Sequence, residues 1–220
     1  MTNDYRLKWF LIISPFLVLL LTKIGIIISI KYFQPEISWI PSFIGYYFSI
    51  LLMFFIATKY FSFPIKQVFT LSLKPVPKFG LLFWGIIIPA LLPIAAFITQ
   101  IKLVPFEFVI YIIIFSCINP IFEEGFWRGF LNFLPGNSTF RILYTSILFS
   151  FSHLFFWSYW FKVPMIIIPT VISTFIMGIL WMWFMQKRKN LLYPILSHVL
   201  VDIFNLSVAV YYGIISFGQF

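Results

Sequence analysis

Charge is what this sequence has least of. Only 10% of its 220 residues are charged, against about a quarter in a soluble globular domain. Acidic side chains number six in all. Cys117 is the single cysteine, which excludes a disulfide framework and a thiolate metal cluster. No low-complexity segment exists beyond the apolar bias. The two IIIP stretches, 86–89 and 166–169, are too short to constitute a repeat.

What fills the chain instead is hydrocarbon: 62% of it is hydrophobic. Apolar runs of about 20 residues, the length a bilayer demands, recur from end to end. The expected fold is therefore all-α, a single polytopic membrane domain over residues 1–220 with no room for a soluble one. Seven spans are predicted, at 9–30, 40–58, 79–99, 105–122 (continuing towards 134), 142–161, 165–186 and 191–212. An eighth segment, if re-entrant, would move the C-terminus to the other side. The basic residues before the first run resemble a signal peptide, but the run is too long and lacks a small-residue cleavage site. It is read as a retained span.

A net charge of +9 would also suit a nucleic-acid binder, yet the basic residues sit in the short links. Placing the N-terminus inside collects ten of the 15 Lys and Arg on the inner side: Arg6, Lys8, Lys59, Lys66, Lys74, Lys78, Arg141, Lys187, Arg188 and Lys189. Lys31, Lys102 and Lys162 fall outside, and Lys23 and Arg128 lie within spans. Retention of positive links in the cytoplasm explains this asymmetry. The link 60–78, with three lysines, is expected to lie on anionic headgroups. The KRKN run at 187–190 reads as a topology signal, and Trp157, Trp160, Trp181 and Trp183 read as interface anchors.

Polar residues inside the spans are few and cluster in the second half: Glu123, Glu124, Arg128, His153, His198, Asp202 and Asn205. An ionised group at membrane depth costs at least a few kcal/mol, so such residues are functional candidates by default. At 1.5 Å per residue His153 lies about 17 Å from the inner edge, His198 about 10 Å and Asp202 about 16 Å. Glu123 lies about 3 to 6 Å in if its helix is straight. Convergence in one cavity is compatible with these depths. Glu124 and Arg128, four apart, share a helix face, whereas Glu123 is turned away from that pairing. Phe149 would stack beneath His153, and His198, Asp202 and Asn205 form one stripe. Pro120 is placed to begin a new helix, with both glutamates near its start.

Each feature also has a structural reading. Glu124–Arg128 is a plain buried ion pair, and an intramembrane histidine often only bonds a neighbouring helix. Lys23 can snorkel.

Three motifs nevertheless stand in order. EEGFWRG at 123–129 resembles the EExxxR motif of the CPBP family, intramembrane proteases that include Rce1-type CAAX prenyl endopeptidases and Abi-type bacteriocin-processing or immunity proteins. FSFSH at 149–153 resembles its FxxxH motif, and HVLVD at 198–202 its HxxxD motif. The resemblance covers residues 119–205. It implies that Glu123 and His153 activate a water for attack on a peptide carbonyl, while His198 and Asp202 hold the oxyanion. Glu124 and Arg128 complete the implied catalytic set. Many members carry Asn where Asp202 stands, and an ionised Asp cannot donate. Asp202 is thus protonated, orients His198, or joins a metal. Charge counting allows a divalent ion: Glu123, Glu124 and Asp202 against Arg128 leave minus two. Glu123, His153, His198 and Asp202 are then the candidate ligands of a catalytic Zn²⁺.

The expected function is an intramembrane endopeptidase acting on peptides or membrane-associated protein tails, in the cell membrane and in a bacterium by composition. Prenylated C-terminal tails would suit a eukaryotic member, and leader or bacteriocin-like peptides a bacterial one. The alternatives are a non-catalytic self-immunity or regulatory protein and a proton-coupled transporter. The partners expected are a peptide or protein substrate and the bilayer, with no nucleic acid.

Overall fold

The computed structural model describes residues 5–34, 37–72, 80–91, 94, 97–98, 101, 106–157 and 164–217. Lys74, Lys78, Pro93, Lys102, Trp160 and Lys162 lie outside them; for Trp157 and Pro164 the backbone alone is described. Every regular element among these residues is helical. In chain order they are α1 (Tyr5–Tyr32), α2 (Trp39–Phe61), α3 (Leu81–Leu91), α4 (Phe106–Glu124), α5 (Ser138–Trp157), α6 (Pro164–Arg188) and α7 (Leu192–Phe217). Each falls where a span was predicted. Five helical stretches among the described residues are long and apolar enough to cross a bilayer, while α3 is described over 11 residues.

The exposed and buried sides of the bundle identify its solvent. Ile13, Phe16, Leu20, Ile24 and Ile27 of α1 and Ile110, Ile113, Ile114 and Ile121 of α4 are exposed. Ser14, Thr22, Ser42, Ser49, Ser116, Thr145 and Ser146 are buried. Apolar side chains outward and small polar ones inward is the pattern of helices packed in lipid. Several of these hydroxyls return to backbone carbonyls. Ser14 Oγ donates to Leu11 O at 3.1 Å, which is the carbonyl that Pro15, inside α1, leaves without its helical donor.

Helix α5 packs mainly on α6, α1 on α2, and α4 on α7. The last of these pairings brings together the helix of Glu123 and Glu124 and the helix of His198 and Asp202.

The link after α2 departs from the sequence expectation. Ser62 takes a left-handed conformation (φ 50°) and Phe63 N donates to Ala57 O at 3.2 Å, which turns the chain back. Phe63 and Val68 are then buried in the bundle, while Lys66 between them is exposed. Thr70 O accepts from Leu191 N at 2.8 Å, and Asn190 Nδ2 donates to Ser72 O at 2.6 Å. Asn190 Oδ1 accepts from Leu192 N at 3.0 Å, so it caps α7 as well. The KRKN run therefore holds a structural residue besides its charges.

Helical conformation also continues beyond Glu124, through a wide π turn at Gly125–Phe130 and a 3₁₀ turn at Leu131–Phe133. Pro120 lies inside α4 and starts nothing new. The glutamates sit in the body of the long fourth span, about 15 Å along the helix from Phe133, deeper than a helix stopping at 122 allows.

The π turn is shaped by its glycines. A Cβ on Gly125 would stand 2.8 Å from the Phe69 ring, and one on Gly129 would stand 2.6 Å from Val68 Cγ1 and 2.8 Å from Val68 O. The returning link can press against this turn only where side chains are missing. Gly129→Ala should therefore destabilise the protein by about 1–3 kcal/mol through overpacking, read as a lowered Tm in detergent. Val68→Ala in the same chain should recover part of that loss, because it relieves the Cγ1 contact and leaves the carbonyl one.

Candidate active site

Glu124 is fully buried and its Oε1 accepts twice: from Arg128 Nη1 at 3.0 Å and from His198 Nδ1 at 2.8 Å. The i, i+4 pairing read from the sequence is present, and the second donor arrives from α7. Arg128 is held between two aromatic faces, its Cζ 3.9 Å from the Phe149 ring centre and 5.1 Å from that of Trp181. A guanidinium between aromatic rings is attracted by both quadrupoles. Trp181 also stacks on His198 at 4.8 Å and 29°. Trp181 is thus a wall of the site, wholly buried, and its reading as an interface anchor is corrected. Trp183 is half-buried.

With Nδ1 committed to Glu124, the other ring nitrogen of His198 faces Glu123 Oε2 at 3.6 Å and Asp202 Oδ1 at 3.4 Å. Both ring nitrogens therefore look at carboxylate oxygens, which only accept when ionised. Glu123 is buried, and its Oε2 has no hydrogen-bond partner. The Tyr46 hydroxyl, which accepts from Trp127 Nε1 at 2.9 Å, lies close enough to interact with Glu123. Asp202 Oδ2 accepts from Asn119 Nδ2 at 3.0 Å, and Tyr47 OH donates to Asn119 Oδ1 at 3.1 Å.

His153 reaches the same place from α5. Its Nδ1 lies 3.0 Å from Phe149 O; a carbonyl cannot donate, so Nδ1 carries the hydrogen and Nε2 is left as an acceptor. Phe149 meets the imidazole edge-on, 4.5 Å away at 68°, and does not stack beneath it. Glu123, His153, His198, Asp202, Asn119 and Asn205 all line one cavity of about 690 Å³. Most of its remaining wall is apolar, including Phe43, Phe115, Phe156, Ile172 and Met177.

Residues 105–204 match the sequence profile described as type II CAAX prenyl endopeptidase Rce1-like. This stretch, just under half of the chain, is similar to that family. Curated proteins and solved structures give no match. The matched stretch begins just before α4 and ends two residues after Asp202, so it contains all three motifs. The first hundred residues lie outside it, yet α1, α2 and α3 supply Leu19, Thr22, Phe43, Tyr46, Ile88 and Pro89 to the cavity.

Asn119, Tyr46, Tyr47 and Trp127 are the members of the site that reading the sequence missed. Asn119 left a signal: an uncharged polar residue within an apolar span, four positions before Glu123 and on its face. The tyrosines left none in a chain so rich in aromatics.

The four side chains proposed as zinc ligands line one cavity, but among the described residues no three His, Cys, Asp or Glu are arranged to hold an ion. An imidazolium at His198 would join Arg128 as a second cation and reduce the imbalance of the three carboxylates to minus one.

Each of the two adjacent glutamates keeps one oxygen without a hydrogen-bond partner, and Glu124 is the one paired with Arg128. Glu124→Gln would leave buried Arg128 without its counter-ion and should cost about 3–5 kcal/mol. Glu123→Gln neutralises a carboxylate with an orphaned oxygen and should leave stability within about 1 kcal/mol of the parent, or raise it. Unfolding of the purified protein in detergent measures both, and equal losses would contradict the division.

Proposed function

We propose that the protein is an intramembrane endopeptidase in which Glu123 activates a water held in the cavity. The observation that carries this reading is the unpartnered Glu123 Oε2, buried beside a histidine at the wall of a cavity large enough for a peptide segment. In this reading a water lies between Glu123 Oε2 and His153 Nε2, which both accept from it. The peptide carbonyl enters with its oxygen toward His198.

Glu123 takes a proton as the water oxygen bonds to the carbonyl carbon. The developing oxyanion is met by the Nε2–H of His198, a donor whose direction is fixed by Glu124 and by the Trp181 stack. Collapse breaks the C–N bond, and the proton on Glu123 passes to the leaving amine. Asp202 then steadies the His198 ring through its carboxylate charge, leaves the Nε2–H to the oxyanion and has no need to donate, which answers its presence where many members carry Asn. Substrates are peptides or membrane-associated protein tails that place apolar side chains against the cavity wall.

The test compares membranes from cells carrying the wild type and Glu123→Gln for protein termini that appear only with the wild type. Loss of the general base should lower cleavage by about 10²–10⁴-fold, and unchanged termini would reject the proposal. A role for zinc is tested on the same purified protein. Cleavage should survive a chelator, whereas loss restored by zinc alone would assign the ion to the site.

A further inference from the structure

Asn119 lies one helical turn before Glu123 and is 4% exposed. It belongs to none of the three motifs, yet it is bonded at both ends of its carboxamide. Tyr47 of α2 donates to Oδ1 at 3.1 Å, and Nδ2 donates to Asp202 Oδ2 of α7 at 3.0 Å. The amide can sit in one sense only, since the flipped group would set its oxygen against a carboxylate oxygen. Tyr47 is held in turn by stacking on Phe122, 4.5 Å away at 14°.

We infer that Tyr47 and Asn119 are positioning residues that orient the Asp202 carboxylate, so that its free oxygen, Oδ1, faces His198 Nε2 and fixes that ring for the reaction. This rests on the endopeptidase reading for its catalytic consequence, though not for the geometry itself. Without the amide, the carboxylate would rotate about its terminal torsion, which is soft. Its 3.4 Å approach to His198 would then no longer be defined. The pair also accounts for the aspartate at position 202. An asparagine there would carry its own amide, whereas here the amide comes from α4 and the carboxylate from α7. Exchanging the two groups, Asn119→Asp together with Asp202→Asn, preserves every bond. Tyr47 then donates to a carboxylate on α4, which also accepts from the amide nitrogen on α7, and the amide oxygen faces His198.

The full chain holds two histidines, so ¹⁵N-imidazole labelling in detergent gives two ring systems to follow. Asn119→Leu should move the His198 Nε2 resonance and leave those of His153 in place. Tyr47→Phe keeps the ring and should shift the same resonance less. Cleavage of a mixture of synthetic apolar peptides, read by mass spectrometry, should fall about tenfold or more in kcat for Asn119→Leu and for Asn119→Asp, with KM within about threefold. The double variant Asn119→Asp/Asp202→Asn should be more active than Asn119→Asp alone. A His198 resonance unmoved in Asn119→Leu overturns the inference, as does an exchange no better than the single variant. If the resonance moves as expected but even the wild type cleaves nothing, the endopeptidase reading falls and the positioning stands.

Discussion

One carboxylate shared by two donors, Glu124 between Arg128 and His198, holds the site together. In a medium of low dielectric a charge costs several kcal/mol to bury and regains it only from well-placed partners. Glu124 gives Arg128 such a partner within its own helical stretch and gives His198 one across the helix interface. Together with the Asn119–Asp202 bond, this contact fixes the register of α4 and α7 more tightly than hydrocarbon packing, which tolerates sliding. It also releases Glu123. With the arginine taken by its neighbour, the second glutamate keeps an oxygen free of hydrogen bonds, and chemistry on water needs such a group.

The local helix geometry follows from the same need. A π turn is rare and is found mostly at functional sites. Here it carries Arg128 and the buried aromatic residues Phe126, Trp127 and Phe130. Gly125 and Gly129 lie on the side where the returning link brings Val68 and Phe69, and Trp127 points to Tyr46. Each residue of the GFWRGF run therefore has a spatial reason to be the type it is. The link that braces the turn is also tied to the start of α7 through Asn190 and Ser72. The helix that carries His198 and Asp202 is thus anchored ahead of the residues that it brings to the cavity.

Much of this was legible in the sequence because lipid is a simple solvent. Runs of about 20 apolar residues report helices, and any charge among them demands a partner, which is why Glu123, Glu124, Arg128, His153, His198 and Asp202 could be singled out. The face arithmetic that paired Glu124 with Arg128 holds because i, i+4 geometry is local. What failed depended on contacts distant in sequence. Trp181 looks like an interface anchor when only its distance to Lys187 is known, and it is a stacking partner of His198 once α7 is in place. The link after α2 looks like a surface loop when its lysines are counted, but Phe63 and Val68 carry it inward. Pro120 looked like a helix start because a proline suits the first turn. Within a long apolar span the backbone instead stays helical, since no solvent would satisfy an opened chain.

The shared carboxylate is tested most directly by a double-mutant cycle between Glu124→Gln and His198→Asn, followed by unfolding in detergent. The account predicts a coupling energy of about 1–3 kcal/mol, as expected for charged partners within one buried network. A coupling within about 0.3 kcal/mol of zero would mean that the two side chains do not hold one another, and the site as described would not exist.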